Sequence, residues 1–337
     1  MDSTEAQQIC VAGGGSWGTA LAHHAAFCGH RVTLLLRDEK VCADINKKHE
    51  NNRYLPGIKL HPSLKAVTDP TAPGALQSPF VLLAVPCQQQ RSYLTQNKHL
   101  LAPSACLINA AKGIELATGC TCSQFIAELL HIKAENYAVL SGPSFAREVM
   151  EGRPTAVVIG SASLKTAAAV QALFSSDAFR CYTSDDVLGV ELGGAVKNVI
   201  AIACGICDGL NIGTNGRAAL ITRGIAEISR LGVSMGAKEH TFLGLSGLGD
   251  LVLTATGSLS RNRTLGLALG QGRTLKEAND AIGMVTEGVK TAFAVQKLAE
   301  RLACPVPITN AVCAILGGTL SASDAVHMLM NRSLIQE

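Results

Sequence analysis

The chain is poor in aromatic residues, which make up 4% and include one tryptophan. A large core must therefore be built from Ala, Val, Ile and Leu. Charge is also sparse, at 16% of residues beside 47% apolar ones. A disordered chain needs the opposite balance and is excluded. No run of Lys and Arg occurs and the net charge is only +3. The concentrated basic face that nucleic acid requires is thus missing. The opening residues, MDSTEAQQ, lack the basic start and apolar stretch of a secretory signal. No apolar run is expected to reach the ~18 residues that span a bilayer. These absences predict a cytoplasmic protein with no nucleic-acid partner and no stable membrane insertion.

Cysteine is plentiful, with 12 residues, but the patterns that bind metal are missing. Cys120 with Cys122 and Cys204 with Cys207 are close pairs. Neither is matched by a second CxxC or HxH. No metal site is expected, and most cysteines read as small core residues of a reduced protein.

What is present is length and periodicity. The 337 residues suit two domains of ordinary size. The first half alternates short apolar runs with helical patterns. Segments 8–13, 30–36, 80–85, 106–111, 137–142, 155–160 and 179–184 read as strands. Most are apolar throughout, as strands covered on both faces must be. The pattern predicts an α/β Rossmann-type, doubly wound sheet over residues 1–185. From Val187 onward helical stretches dominate, at 187–206, 216–232, 275–282, 287–302 and 308–317. An all-α domain over residues 186–337 follows.

Gly13, Gly15 and Gly18 form G-x-G-x-x-G between the first strand and the first helix. Glycine triplets alone are a weak signal, but this position is where a dinucleotide turn belongs. Gly13 makes the turn, Gly15 admits the pyrophosphate and Gly18 lets helix pack on strand. The second strand ends at Arg37-Asp38. An acid there favours the ribose of NAD, whereas an Arg accommodates the 2′-phosphate of NADP. Both stand side by side, so either cofactor is allowed. Trp17 lies within the turn, where packing explains it as well as ligand contact does.

Four further segments carry candidate chemistry. Lys197 sits in GGAVKNVIAIACGI, an otherwise apolar helix. A buried ammonium demands a cavity or a hydrogen-bonding neighbour, unless its stem snorkels to the surface. Lys112 follows the CLINAA strand, at the carboxyl edge where ligands of such sheets gather. A loop lysine facing water fits the same position. Gly142, Pro143 and Ser144 form a turn after another strand, able to hold an oxygen-rich ligand or to cap a helix. SRNR, at 260–263, offers Arg forks suited to phosphate, or simply a solvated loop. Asp250 and Glu287 are single acids that would ordinarily cap helices or face water.

Taken in order, GGGSWGTAL, AAKGIE, SGPSFAREV, GGAVKNVIAIACGICDGL, AALITRGIAEISRLG, GLSGLGDLVLT, SRNR and TEGVKT cover nearly the whole chain. Together they resemble the NAD(P)-dependent glycerol-3-phosphate dehydrogenase family of bacterial type. The resemblance implies interconversion of sn-glycerol 3-phosphate and dihydroxyacetone phosphate with NAD or NADP, supplying backbone for phospholipids. It implies Lys197 as catalytic acid/base. It implies triose-phosphate contacts from Lys112, Gly142, Ser144, Lys197, Asp250, Ser260, Arg261 and Asn262. It places Ser16, Trp17, Arg37, Lys112, Ala146, Arg261, Val285 and Glu287 around the cofactor. Many members read GAGSWG where this chain has GGGSWG. A related two-domain hydroxyacid or 6-phosphogluconate-type dehydrogenase would share the fold and a lysine, and is the alternative. A homodimer is the default assembly.

Overall fold

The computed structural model describes residues 5–283 and 286–331. Two compact units emerge: Met1–Lys112 with Cys122–Val190, and Gly113–Thr121 with Glu191–Glu337. The segment Gly113–Thr121 was expected within the first domain, yet it groups with the second unit. There Gly119 lies against the guanidinium of Arg301.

The first unit is a sheet flanked by helices. In chain order it contains β1 (Gln8–Ala12), α1 (Ser16–Phe27), β2 (Arg31–Leu35), α2 (Glu39–Lys48), β3 (Lys65–Val67) and β4 (Phe80–Leu83). It continues with α3 (Cys87–Asn97), β5 (Cys106–Asn109), α4 (Cys122–Leu130), β6 (Tyr137–Ser141), α5 (Ala146–Met150), β7 (Thr155–Gly160), α6 (Leu164–Phe174) and β8 (Phe179–Ser184). The strand order is β3-β2-β1-β4-β5-β6-β7-β8. Every pair is parallel except β6 with β7. The order reverses at β1, so the carboxyl ends of β1 and β4 border the crevice where such sheets bind ligands.

The core explains the near-continuous apolar strands. Ile9, Leu34, Leu82, Ile108, Ala138 and Ile159 are fully buried from successive strands. Ala20, Leu21 and Ala25 of α1 and Phe174 of α6 pack in the same cluster. Each fully buried large side chain contributes about 1.5–3 kcal/mol. His24 of α1 is buried too, its Nε2 2.7 Å from the Phe174 carbonyl oxygen.

The second unit is helical, with no strand among its described residues. The chain enters it along α7 (Val187–Gly209). There follow α8 (Thr214–Ser234), α9 (Asp250–Thr256), α10 (Arg261–Gly270), α11 (Leu275–Ile282), α12 (Glu287–Arg301), α13 (Pro307–Leu316) and α14 (Ala322–Met330). A π-type turn, Leu245–Gly249, leads directly into α9. Helices α7 and α10 cross backbone to backbone. A Cβ on Gly205 would lie 2.1 Å from the Arg263 carbonyl oxygen, and one on Gly266 would lie 2.0 Å from that of Ile202. Glu227 of α8 is buried and accepts from the Ile308 and Thr309 amides at 2.8 and 2.9 Å. It thereby caps α13, whose own N-cap has no side-chain bond.

Val187–Gly209 is long and apolar enough to cross a membrane by length and composition, with mean hydropathy 1.6. Glu191, Lys197 and Asp208 break it up as a written string without lowering its average far. In the fold, 89% of its apolar window is buried inside the protein, as a core helix requires.

Candidate functional site

The first unit presents a backbone cradle. Gly13 has φ +122, and a Cβ there would sit 2.7 Å from the Ala84 carbonyl. A Cβ on Gly18 would meet the Gly13 oxygen at 2.0 Å, so α1 and the turn touch directly. Gly15 is the N-cap of α1 and brings no side-chain cap. A Cβ on Gly15 would meet nothing within 4 Å, so the space before the helix is open. Among the described residues, none accepts from the N–H of Gly15, Ser16 or Trp17. Unpaired donors at an open helix N-terminus fit a pyrophosphate, by hydrogen bonding and by the helix dipole. The Trp17 indole N–H is buried and also unpartnered among them. At Gly14 an alanine Cβ would lie 2.7 Å from that of Leu36, so the glycine suits this chain.

At the end of β2, Arg37 is exposed and Asp38 is already engaged. One Asp38 oxygen accepts from the Val41 amide at 3.0 Å, capping α2, and the other pairs with Arg53. The Val41 N–H, followed by Arg53, holds this carboxyl below its ordinary range.

Beyond β5 and β6 two predicted residues meet on one carbonyl. Lys112 donates from Nζ to the Gly142 oxygen at 3.1 Å, and the Ser144 hydroxyl donates to it at 3.0 Å. Phe145, not Ser144, is the N-cap of α5, which Ala146 opens. A buried pair missed in the sequence supports this edge. Gln90 donates to the Val85 oxygen at 3.0 Å and to Asn109 Oδ1 at 2.8 Å. Asn109 in turn donates to the Ala111 oxygen at 3.0 Å, just before Lys112. No spacing motif marks them; their only signal was polarity inside apolar segments.

The second unit presents a side-chain cluster. Lys197 lies mid-way along α7 and is 6% exposed. Its Nζ donates to Asp250 Oδ1 at 2.6 Å and to the Thr254 hydroxyl at 2.5 Å. Thr254 donates to the Asp250 carbonyl at 2.7 Å, one helical turn away. The ammonium is thus held inside rather than at the surface. Asp250 and Thr254 both reach it because they lie four apart on α9. Thr254 was not foreseen, because nothing in the sequence links positions 57 residues apart.

The neighbouring residues converge as well. Asn262 donates to Asn198 Oδ1 at 2.8 Å and accepts from the Gly288 amide at 3.1 Å. This joins α7, α10 and the first turn of α12, where half-buried Glu287 stands. Ser260 is the N-cap of α10 and accepts from the Arg263 amide at 3.2 Å. Arg261 is exposed at the first position of that helix. Arg263 instead pairs with Asp208 at 2.7 Å. Val285 lies outside the described residues. Cys204 and Cys207 are buried on α7, and burial pushes the Cys204 thiol up to about 12.

Comparison with known proteins identifies the family. The family model described as NAD-dependent glycerol-3-phosphate dehydrogenase N-terminus matches residues 8–167, and its C-terminus counterpart matches 186–327. A glycerol-3-phosphate dehydrogenase [NAD(P)+] of Desulfovibrio desulfuricans is 53% identical over 98% of each chain. One from Trichlorobacter lovleyi is 51% identical over 98% of this chain and 99% of its own. The crystal structure of the Coxiella burnetii glycerol-3-phosphate dehydrogenase superposes with TM-score 0.91 at 39% identity, covering 97% of this chain and 99% of that one. The chain belongs to the NAD-dependent glycerol-3-phosphate dehydrogenase family.

Proposed function

We propose that the protein interconverts sn-glycerol 3-phosphate and dihydroxyacetone phosphate with NAD or NADP, supplying glycerol 3-phosphate for phospholipid synthesis. The observation that carries this reading is Lys197, a buried ammonium held by Asp250 and Thr254 in a chain with an open dinucleotide cradle. The nicotinamide, when bound, supplies or takes up the hydride at carbon 2 of the triose.

The N–H groups at Gly15, Ser16 and Trp17 would hold the pyrophosphate. Arg37 would lie at the adenosine ribose. Asp38 is spent on capping α2 and pairing with Arg53, which supports acceptance of a 2′-phosphate as well as a hydroxyl. Ala146, Val285 and Glu287 complete the cofactor contacts expected from the family.

Lys197 gives a proton to the oxygen on carbon 2 during reduction and takes it back during oxidation. Asp250 balances the ammonium, and Thr254 fixes its direction. Arg261, exposed at the start of α10, would grip the substrate phosphate with its planar fork. Ser260 and Asn262 flank it. Lys112, Gly142 and Ser144 would add donors toward the triose phosphate.

The test is oxidation of NADH and, separately, NADPH by the purified protein with dihydroxyacetone phosphate. Turnover that requires the phosphorylated ketone is expected. Cofactor binding without turnover on this ketone would refute the reading.

A further inference from the structure

Asn51 follows α2 in the sequence HENNRYLPG, which carries no recognisable motif. Its backbone is fixed by a tight turn, because its carbonyl accepts from Tyr54 and Leu55 at 3.2 and 2.8 Å. Its side chain is 1% exposed. From Nδ2 it donates to the Gly14 carbonyl at 3.0 Å and to the Thr19 hydroxyl at 2.8 Å. Thr19, fully buried, donates to the same Gly14 oxygen at 3.3 Å. Two side chains, bonded to each other, therefore close on one peptide of the glycine turn.

The other end of the amide is informative. Asn51 Oδ1 is buried and has no partner among the described residues. Leaving a buried acceptor unpaired costs free energy. Reversing the amide would aim that oxygen at the Gly14 carbonyl, which is worse. The residue is thus held for its two donor hydrogens, and both serve the turn.

We propose that Asn51, backed by Thr19, is a positioning residue for the dinucleotide. It pins the Gly14 carbonyl inward, and the proposal rests on the turn being the cofactor site. In a trans peptide the carbonyl and the following N–H point to opposite sides. Fixing the Gly14 oxygen toward Asn51 therefore turns the Gly15 N–H outward, to where a pyrophosphate would sit. Released, the peptide can rotate and present its oxygen to the phosphate instead. Neither residue needs to touch the ligand. The same short turn sends Arg53 to Asp38, so one segment braces both the pyrophosphate turn and the cap of α2.

The experiment compares ligands with and without a pyrophosphate. Asn51→Ala should weaken NADH and ADP about tenfold, since a lost hydrogen bond of this kind is worth about that factor. Adenosine inhibition, KM for dihydroxyacetone phosphate and kcat at saturating cofactor should stay within about twofold by the same reasoning. Thr19→Val should shift the same ligands less, and Thr19→Ser should restore them. If Asn51→Ala does not fold, the two Thr19 variants carry the test. Equal weakening of adenosine and ADP, or no weakening in any folded variant, would overturn the proposal. Wild-type protein that binds neither NADH nor ADP would remove the cofactor site itself, and the proposal with it.

Discussion

The two candidate sites are built from opposite materials. In the first unit the working groups are backbone amides, exposed at the open start of α1 and shaped by Gly13 and Gly18, where any Cβ would strike backbone. In the second the proton-transfer cluster is made of side chains, almost wholly buried and drawn from α7 and α9. A pyrophosphate carries a fixed charge and needs only donors that stay still. A proton transfer needs one group that can change its charge, and burial with a partner controls that change. The cradle should thus fail by geometry, and the Lys197 cluster by chemistry.

Removing the ammonium gives the largest expected effect. Lys197→Met should lower kcat by about a thousandfold, within the range for losing a positioned acid/base. NADH affinity should change little. The same variant takes the ammonium away from the buried Asp250 carboxylate, at a cost to stability of about 3–5 kcal/mol. Adding Asp250→Asn should recover much of that stability, read by denaturant unfolding, while leaving kcat low. Activity that returned with stability would show Lys197 to be a structural ion pair only.

Arg261→Ala should come next, because it strips a charged fork from an exposed position without disturbing the core. KM for glycerol 3-phosphate should rise about ten- to a hundredfold, the worth of a charge-assisted hydrogen bond. A phosphate-free glycerol analogue should be nearly unaffected. Equal losses on both would take the phosphate away from Arg261. Gly18→Ala probes the other unit. Its methyl would collide with the Gly13 oxygen, so α1 must shift and NADH affinity should fall about tenfold. If NADH binding instead stayed intact in a folded variant, the turn would not be the phosphate cradle.

The same contrast explains what could be read from the sequence. The cradle is local: three glycines within six positions, placed between a strand and a helix, state their own geometry. Seven of the eight strands were legible, most of them because sandwiched strands are apolar throughout, whereas β8 alternates buried and exposed positions at its start. The eighth, β3, has only three residues, one of them an exposed lysine, and gives no such signal. In the second unit α9, α10 and α14 escaped notice. They have seven, ten and nine residues, and α10 contains Gly266 because it must touch α7. Lys197 was visible only as an anomaly, a charge in an apolar helix. That anomaly required a partner but could not name Thr254, and Asn51 offered no anomaly at all.

Acid should separate the two units, by the smallest margin of these tests. In the first unit burial, helped by His61 and His24, pulls the His23 imidazole down to about 4. Burial also lowers His24, against the bond to Phe174. The unfolded chain then binds more protons than the folded one between about pH 6.5 and 4, so stability from these groups is lost as pH falls through that window. In the second unit burial raises the Glu227 carboxyl, against the bonds from Thr309 and Ile308. There the folded state binds the proton more tightly, so stability is lost as pH rises above the ordinary carboxylate range and regained on acidification. Going from pH 6.5 to 5 should therefore weaken α1 relative to α8 and α13. With His23 discounted for its partial exposure, the shift is about 1 kcal/mol. Hydrogen exchange followed peptide by peptide would read it. Equal acceleration in both units would mean that these buried groups do not set the acid response. Faster exchange confined to the first unit, and slowed by His24→Gln, would tie it to the imidazoles behind the sheet.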